Sequence, residues 1–301
     1  MKVALITSWD ERCGIAEYAR NLTENLPGIA WEIHQRPFSW PAIARTTADV
    51  VHVNHEPGLM GWLEAEQLTR LKATGKKIVL TMHASNEISN KGPLTQVADR
   101  VVLHEKTSEG FAYIPMGVPE WSGTTEEYIG LATAGFPFHW KGFWATAAVA
   151  KKLEIPFRAV IPESQHGDAK FVKQQLTDIC PWAEIQTRWM ERQAVIDFLA
   201  LAKVQVFAYW GHNAGISAAV RLGLATGRAT VVSRSRQFRD LTQDYGDEVY
   251  VVQSDAPTPE QLEGVVREAL TGGRRPKRIL QDMHWTRVAR QYEELYRGMW
   301  N

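Results

Sequence analysis

Polar residues that can bind anions or sugars follow several predicted strands of this 301-residue chain. The apolar run 3–7 ends at a polar segment, and Gly14 then opens an amphipathic helix. A strand that leads through a glycine turn into a helix N-terminus presents backbone N–H groups and the positive end of the helix dipole, which favour phosphate. The segment lacks the full glycine pattern of dinucleotide sites, so it does not predict nicotinamide binding.

Histidines and carboxylates end other predicted strands of the first half. His83 ends the run 77–83 and can hydrogen-bond to a sugar hydroxyl or a phosphate, while a histidine that serves only the fold is an equal alternative. The pairs His55–Glu56 and His104–Glu105 follow neighbouring strands. Their carboxylates are candidates for binding an acceptor, and each pair taken singly also fits an ordinary loop.

Two segments of the second half repeat the strand–loop–helix pattern. Lys141–Gly142 precede a predicted helix, where a lysine is well placed for a diphosphate, although an isolated lysine is more often a solvated loop residue. Residues 209–217 run from a strand end through a glycine-containing loop to Ser217, and Asn213 is a candidate cap for the helix that follows. A second phosphate-binding turn in a second domain is what a bound nucleotide requires.

Short β-branched runs alternate with helical patterns along the chain, which is typical of βαβ units with parallel sheets. The first half predicts strands at 2–8, 30–35, 49–54, 77–83, 100–104 and 112–115, with helices at 15–26 and 60–73. The second half predicts strands at 128–133, 157–162, 184–188, 204–209, 229–233 and 248–252, with helices at 142–153, 168–177, 191–202, 214–226, 259–271 and 285–299. Residues 272–278 are predicted to be a loop.

A Gly/Ser/Thr-containing break at 119–127 divides the α/β pattern into two Rossmann-like, doubly wound domains. The predicted first domain spans 1–122 and is joined by the C-terminal helix at 285–301, while the second spans 123–284. Two such domains side by side create a cleft at the carboxyl ends of both sheets, where open α/β sheets bind their ligands.

The composition sets outer limits on function. The chain is 45% apolar and 23% charged, and its net charge is zero, so nothing global predicts a nucleic-acid or anionic-membrane partner. Two cysteines, no signal-peptide pattern and no apolar run near about 20 residues predict a cytoplasmic protein without a membrane segment. Metal-ligand spacings, a Gly-x-Ser-x-Gly elbow and a Walker loop are absent from the sequence.

The ordered motifs resemble GT-B glycosyltransferases of glycosyltransferase family four. Residues 13–22 resemble the first loop and helix of that family, and Lys141–Gly142 resemble the lysine–glycine of its second domain. The other similar segments, in chain order, are 49–56, 81–83, 114–118, 217–227, 229–233 and 285–296. The resemblance covers nearly the whole chain and implies a GT-B architecture whose C-terminal helix crosses back to the first domain.

The resemblance implies a retaining enzyme that moves a sugar from a UDP- or GDP-linked donor to a hydroxyl without a metal or other cofactor. His83 and Lys141 are the implied catalytic residues. The implied donor-binding residues are Gly14, Lys141, Pro162, Glu163, Arg188, Trp189, Met190, Asn213, Gly215, Ile216 and Ser217. The candidate acceptor-binding residues are Asp10, Glu11, Arg12, Glu56 and Glu105.

The chain departs from the family at three positions. Two family glutamates around the donor-binding helix correspond to Ala214 and Leu222, and the second glutamate usually holds the ribose. The arginine that accompanies the lysine corresponds to Phe136. Candidate substitutes for that arginine are Arg221, Arg234 and Arg236.

The acceptor stays open between a glycan, lipid-linked sugar or small molecule and a hydroxymethylated base in nucleic acid, as in phage-type DNA glycosylation. If the acceptor is a base in nucleic acid, the basic runs 234–239 and 274–278 can contact its phosphates. The favoured interpretation of both runs is nevertheless that they are solvated loop charges. The missing glutamates also leave open a non-catalytic nucleotide-sugar or glycan-binding protein. An epimerase of the same fold is the third class.

Overall fold

A computed structural model describes residues 1–60, 63–83, 92–107, 110–123, 129–164, 167–211 and 215–300. The chain divides into two compact units. The first unit contains Met1–Gly117, Gly215, Ile216 and the segment that begins at Trp285, and the second contains the rest. None of the helices in the described ranges has the length and apolar character that crossing a bilayer requires.

In the first unit, six described strands form one parallel sheet in the order β2-β1-β3-β4-β5-β6. The strands are β1 (Lys2–Ile6), β2 (Ala30–His34), β3 (Val50–His55), β4 (Lys77–Met82), β5 (Arg100–Leu103) and β6 (Ala112–Tyr113). Helices between them are α1 (Gly14–Glu24), α2 (Trp40–Ala44), α3 (Pro57–Met60), α4 (Ala65–Ala73) and α5 (Pro93–Val97). Every residue of β3 is buried, as expected for a parallel strand covered on both faces.

The second unit has its own parallel sheet, whose six described strands run in the order β12-β11-β10-β7-β8-β9. The strands are β7 (Leu131–Ala134), β8 (Phe157–Val160), β9 (Glu184–Gln186), β10 (Val204–Phe207), β11 (Ala229–Ser233) and β12 (Tyr250–Val252). Its helices are α6 (Phe143–Leu153), α7 (Ala169–Ile179), α8 (Arg192–Ala200), α9 (Ala218–Ala225), α10 (Arg239–Asp244), α11 (Pro259–Thr271) and α12 (Lys277–Asp282). The predicted α/β class with two doubly wound parallel sheets is confirmed.

One predicted loop is partly helical. Helix α12 begins at Lys277, so the loop prediction for 272–278 is wrong at its last two residues. The carboxylate of Glu248 accepts hydrogen bonds from the backbone N–H groups of Arg278 (2.8 Å) and Ile279 (2.9 Å). A carboxylate from a distant segment therefore satisfies the N-terminal amides of α12, where the helix dipole also favours negative charge.

A last helix, α13 (Trp285–Arg297), packs into the first unit through buried tyrosines. The hydroxyl of Tyr18 in α1 donates to the hydroxyl of Tyr292 (2.6 Å), which lies 2.9 Å from the Thr81 hydroxyl of β4. A Cβ atom on Gly117 would lie 2.4 Å from the ring of Trp285, so only glycine fits beneath the start of the helix. Helix α13 is thereby fixed against α1 and β4.

The same chain of hydrogen bonds continues through a buried histidine. The two ring nitrogens of His52 lie 2.7 Å from the hydroxyls of Thr81 and Tyr296. Burial, and secondarily the charge of His104, lowers the pKa of His52 to about 3, so its ring is neutral at physiological pH. A neutral imidazole donates from one nitrogen and accepts at the other, which matches the two hydroxyl neighbours.

We expect Tyr292→Phe to lower the free energy of unfolding by about 1–3 kcal/mol, because it leaves buried hydroxyl partners unsatisfied. Urea denaturation followed by far-ultraviolet circular dichroism measures the change. Equal stability of Tyr292→Phe and the wild type would show that the hydroxyl chain does not hold α13.

Candidate functional site

Lys141 lies in a single 3-10 turn, His139–Lys141, between β7 and α6. The next residue, Gly142, has a φ of 65°, and a Cβ atom there would lie 1.9 Å from the carbonyl oxygen of Ala208. Only glycine permits this approach, which places the turn directly beside the end of β10. A glycine must therefore follow Lys141 for the lysine turn to pack against the end of β10.

The side chain of Lys141 is buried, with 8% of its surface exposed. Its Nζ lies 3.9 Å from the ring centroid of Tyr209 and 4.6 Å from that of Trp140. Within the described part of the chain, no carboxylate lies at ion-pair distance from it. Burial lowers the pKa of Lys141 to about 7. Near pH 7 the amine therefore exchanges between its ammonium and neutral forms, and a bound anion would favour the ammonium form.

The start of α9 is organised differently from the prediction. Ser217 is its N-cap, so the prediction that Asn213 caps the helix is wrong; Asn213 itself lies outside the described residues. The Ser217 hydroxyl lies 3.1 Å from the hydroxyl of Tyr209, and its N–H donates to the carbonyl of Gln237. Ser217 thereby connects α9 to the tyrosine that lies under Lys141. Gly215 and Ile216 are half-buried and group with the first unit.

Arg221 is not a substitute for the missing family arginine. Its guanidinium is 2% exposed, forms an ion pair with Asp240 and lies 3.3 Å from the sulfur of Met283. A buried guanidinium that is committed to a carboxylate has no free face for a diphosphate, so that candidate is wrong. Arg234, by contrast, is exposed, and Arg236 is half-buried.

The loops that follow β7, β8 and β9 bring other predicted donor-binding residues together. The N–H of Glu163 donates to the carbonyl of Thr187 (2.9 Å), which joins the loop after β8 to the loop after β9. Phe136 and Trp189 lie with their ring centroids 6.5 Å apart and their planes 25° apart. Pro162 is buried, Met190 is half-buried, and Glu163 and Arg188 are exposed. The aromatic pair was not predicted, because its members are distant in sequence.

In the first unit, the predicted anion-binding turn is capped by a thiol. Cys13 is the N-cap of α1, and its sulfur accepts a hydrogen bond from the N–H of Ala16 (3.4 Å). Gly14 is half-buried behind it. Glu11 forms an ion pair with Arg36 (2.8 Å), whereas Asp10 and Arg12 are exposed.

His83 lies at the carboxyl end of β4, between the ends of β3 and β5. Its ring centroid is 4.8 Å from that of Tyr18 and 5.1 Å from that of His104. Among the described residues, none hydrogen-bonds to its buried Nε2. Burial and the charges of the neighbouring histidines hold the pKa of His83 well below its usual range. The neutral ring can donate a hydrogen bond to a hydroxyl or accept one from it, but it carries no positive charge.

Two predicted acceptor-binding carboxylates lie at the same edge of the first sheet. Glu56 follows β3 and is half-buried, and Glu105 lies just beyond β5 and is buried. The sheet order places these strand ends on either side of β4 and therefore of His83. Within the described residues, no three histidine, cysteine, aspartate or glutamate side chains converge as metal ligands would.

The basic run 274–278 is largely occupied by protein contacts. Arg274 forms an ion pair with Glu268 (3.2 Å) and lies over the ring of Tyr250. Arg278 forms an ion pair with Asp247 (2.6 Å). Both guanidinium groups are therefore paired with carboxylates of the second unit, although their side chains stay partly exposed.

No family model and no curated protein matches this sequence. The fold is similar to that of a glycosyltransferase from Rickettsia africae ESF-5, with 11% identity, a TM-score of 0.73 and coverage of 100% of this chain and 98% of that one. Anabaena Alr3699/HepE, solved in complex with UDP and glucose, has 12% identity and a TM-score of 0.70 over 99% of this chain and 100% of that one. AviGT4, a glycosyltransferase involved in avilamycin A biosynthesis, has 14% identity and a TM-score of 0.66 over 99% of this chain and 98% of that one. The chain has the fold of the GT-B glycosyltransferases.

We expect anion affinity to fall as the pH rises above about 7, where Lys141 loses its proton. A bound anion favours the ammonium form, so binding is coupled to proton uptake. Isothermal titration of inorganic pyrophosphate, repeated across pH in buffers of different ionisation enthalpy, measures both effects.

Pyrophosphate itself also gains and loses protons over this pH range. Lys141→Arg, which stays charged at every relevant pH, therefore shows how much of the pH dependence comes from the ligand alone. Lys151→Met, a change at an exposed lysine of the same unit, should leave the profile unaltered. A wild-type profile identical to that of Lys141→Arg would contradict the assignment.

Proposed function

We propose that the chain is a glycosyltransferase that moves a sugar from a UDP- or GDP-linked donor to a hydroxyl acceptor, with retention and without a metal. The observation that carries the proposal is the buried Lys141 amine, for which the described residues supply no carboxylate at ion-pair distance. The fold supports it, because proteins of the same fold include one solved with UDP and glucose. A nucleoside diphosphate is a ligand and leaving group that such an amine suits.

In this proposal, the predicted domain 123–284 binds the donor. The Lys141 ammonium stabilises the negative charge that develops on the departing diphosphate. The rings of Tyr209 and Trp140 contact the amine and hold it in place without neutralising it. Pro162, Glu163, Arg188, Trp189 and Met190 surround the nucleoside part of the donor. Gly14, Asn213, Gly215, Ile216 and Ser217 complete the proposed donor-binding set.

The proposed acceptor domain comprises 1–122 and 285–301. His83 is assigned to the transferred sugar, because a neutral imidazole with an unsatisfied nitrogen is suited to a sugar hydroxyl. Glu56 and Glu105 are the proposed acceptor carboxylates, together with Asp10, Glu11 and Arg12 of the first loop. Glu11 is already paired with Arg36, so an acceptor that binds it must share that carboxylate.

The ribose of the donor must be held without the family glutamate. Leu222 at that position is half-buried and packs against the apolar cores on both sides of α9. It offers no hydrogen-bond acceptor, which is the feature that favours the alternative of a non-catalytic nucleotide-sugar-binding protein. Donor binding without hydrolysis or transfer to any of a panel of acceptors would establish that alternative.

We expect Lys141→Ala to weaken binding of the sugar nucleotide and slow its turnover, since a charge-assisted contact is worth about 1.5–3 kcal/mol. Titration with UDP-glucose and GDP-mannose, and assay of released UDP and GDP with an acceptor mixture, measure the two effects. Lys151→Ala is the control. A folded wild type that binds no sugar nucleotide would overturn the proposed function.

For the acceptor, a glycan or small molecule is favoured over nucleic acid, because Arg274 and Arg278 are engaged by carboxylates of the second unit. We expect no salt-dependent shift of a hydroxymethylated duplex in gels run at low and high salt. A shift at low salt that disappears as salt is added would instead support nucleic acid as the acceptor.

A further inference from the structure

Phe136 and Trp189 form an aromatic pair, here named the ring clamp, at the carboxyl ends of β7 and β9. Their centroids are 6.5 Å apart and their planes differ by 25°. Both side chains are half-buried, so each keeps part of its surface accessible. The strand β8 lies between the two strands that carry them.

The spacing of the ring clamp differs from that of a direct stack. The nearby Phe138–Trp140 pair has centroids 5.2 Å apart and planes within 13° of each other. A centroid distance combines vertical separation with lateral offset, so the value of 6.5 Å shows that the ring clamp is stacked less closely than the Phe138–Trp140 pair. A planar ring held between two others makes two contacts of about 3.5 Å each, so the clamp must open to admit a heterocycle.

Backbone contacts hold the Phe136 side of the ring clamp in place. The N–H of Gly135 donates to the carbonyl of Val160, and that of Phe138 donates to the carbonyl of Phe136 (2.7 Å). A Cβ atom on Gly167 would lie 2.8 Å from the carbonyl oxygen of Pro137, so the loop after β8 presses directly on the Phe136 segment. The backbone that carries Phe136 is thereby positioned before any ligand arrives, which reduces the entropy that binding costs on that side.

The ring clamp adjoins the Lys141 amine. Gly135 directly precedes Phe136, and a Cβ atom on Gly135 would lie 3.5 Å from the Nζ of Lys141. Arg188, which is exposed, directly precedes Trp189 and adds a second cation to the same loops. One region therefore combines two aromatic faces with cationic groups, and a nucleotide combines a flat base with anionic phosphates.

We propose that Phe136 and Trp189 sandwich the nucleobase of the donor while Lys141 binds its diphosphate. The inference rests on the proposed function, because it concerns the donor of that same site. Every base has a π-face, so stacking on both sides tolerates different bases. We accordingly expect UDP, GDP and ADP to bind with affinities within about tenfold of one another.

The test separates the base from the phosphates by using two probes, UDP and inorganic pyrophosphate. Loss of one stacking face should weaken UDP binding by about tenfold in Trp189→Ala and in Phe136→Ala, with pyrophosphate binding unchanged. Lys141→Ala should weaken both probes. Trp182→Ala, which removes an exposed tryptophan of the same unit, is the matched control and should alter neither.

Tryptophan fluorescence gives a second readout. UDP should quench part of the wild-type emission, and Trp189→Phe should abolish that part while retaining most of the affinity, because phenylalanine preserves a stacking face. Trp182→Phe should keep the quenching. If Trp189→Ala does not fold, Phe136→Leu tests the same claim from the other side.

Three outcomes are decisive against the ring clamp. If UDP binds the folded alanine variants as tightly as it binds the wild type, the clamp is wrong and the glycosyltransferase proposal stands. If UDP binds the wild type no more tightly than pyrophosphate does, the base adds nothing and the clamp is again wrong. If neither UDP nor GDP binds the folded wild type, the proposed function fails together with the clamp.

Discussion

The burial of the Lys141 amine, with no carboxylate at ion-pair distance among the described residues, is the constraint on which the carboxyl edge of the second sheet depends. Removal of an ammonium group from water costs several kcal/mol unless other groups compensate for it. The rings of Tyr209 and Trp140 offset part of that cost by cation–π contact. The lowered pKa allows the amine to lose its proton, which removes the rest of the cost in the neutral form. Gly142 is required because the lysine turn passes so close to the carbonyl of Ala208.

Two buried polar groups, His52 in the first unit and Lys141 in the second, differ in how far their neighbours satisfy them. In the first unit, His52 and the hydroxyls around it satisfy one another, and the result is a fixed helix. In the second unit, the described neighbours of the Lys141 amine are aromatic rings, and none of them is a carboxylate at ion-pair distance. A satisfied network stabilises a fold, whereas an unsatisfied charge in a positioned setting is what a ligand site provides.

The alternation of strands and helices was predictable from sequence, because buried parallel strands are continuous apolar runs. The ends of elements were harder to predict wherever a distant group decides them, as the carboxylate of Glu248 does for α12. Arg221 illustrates the same limit, since only the fold brings Asp240 to it. The aromatic pair of Phe136 and Trp189 has no local signal at all. The sequence pattern predicted which segments lie at the carboxyl edges of the sheets, but not which of their residues already have partners.

The hydroxyl chain between Tyr18, Thr81 and Tyr292 has a consequence for the order of folding during synthesis. The first unit is discontinuous, and α13 leaves the ribosome only after the whole second unit has been made. Nascent residues 1–117 therefore leave the ribosome before Tyr292, the hydroxyl partner of Tyr18 and Thr81, has been made. The core of the first unit can close only after the second unit has been synthesised, and until then its apolar surface is open to aggregation.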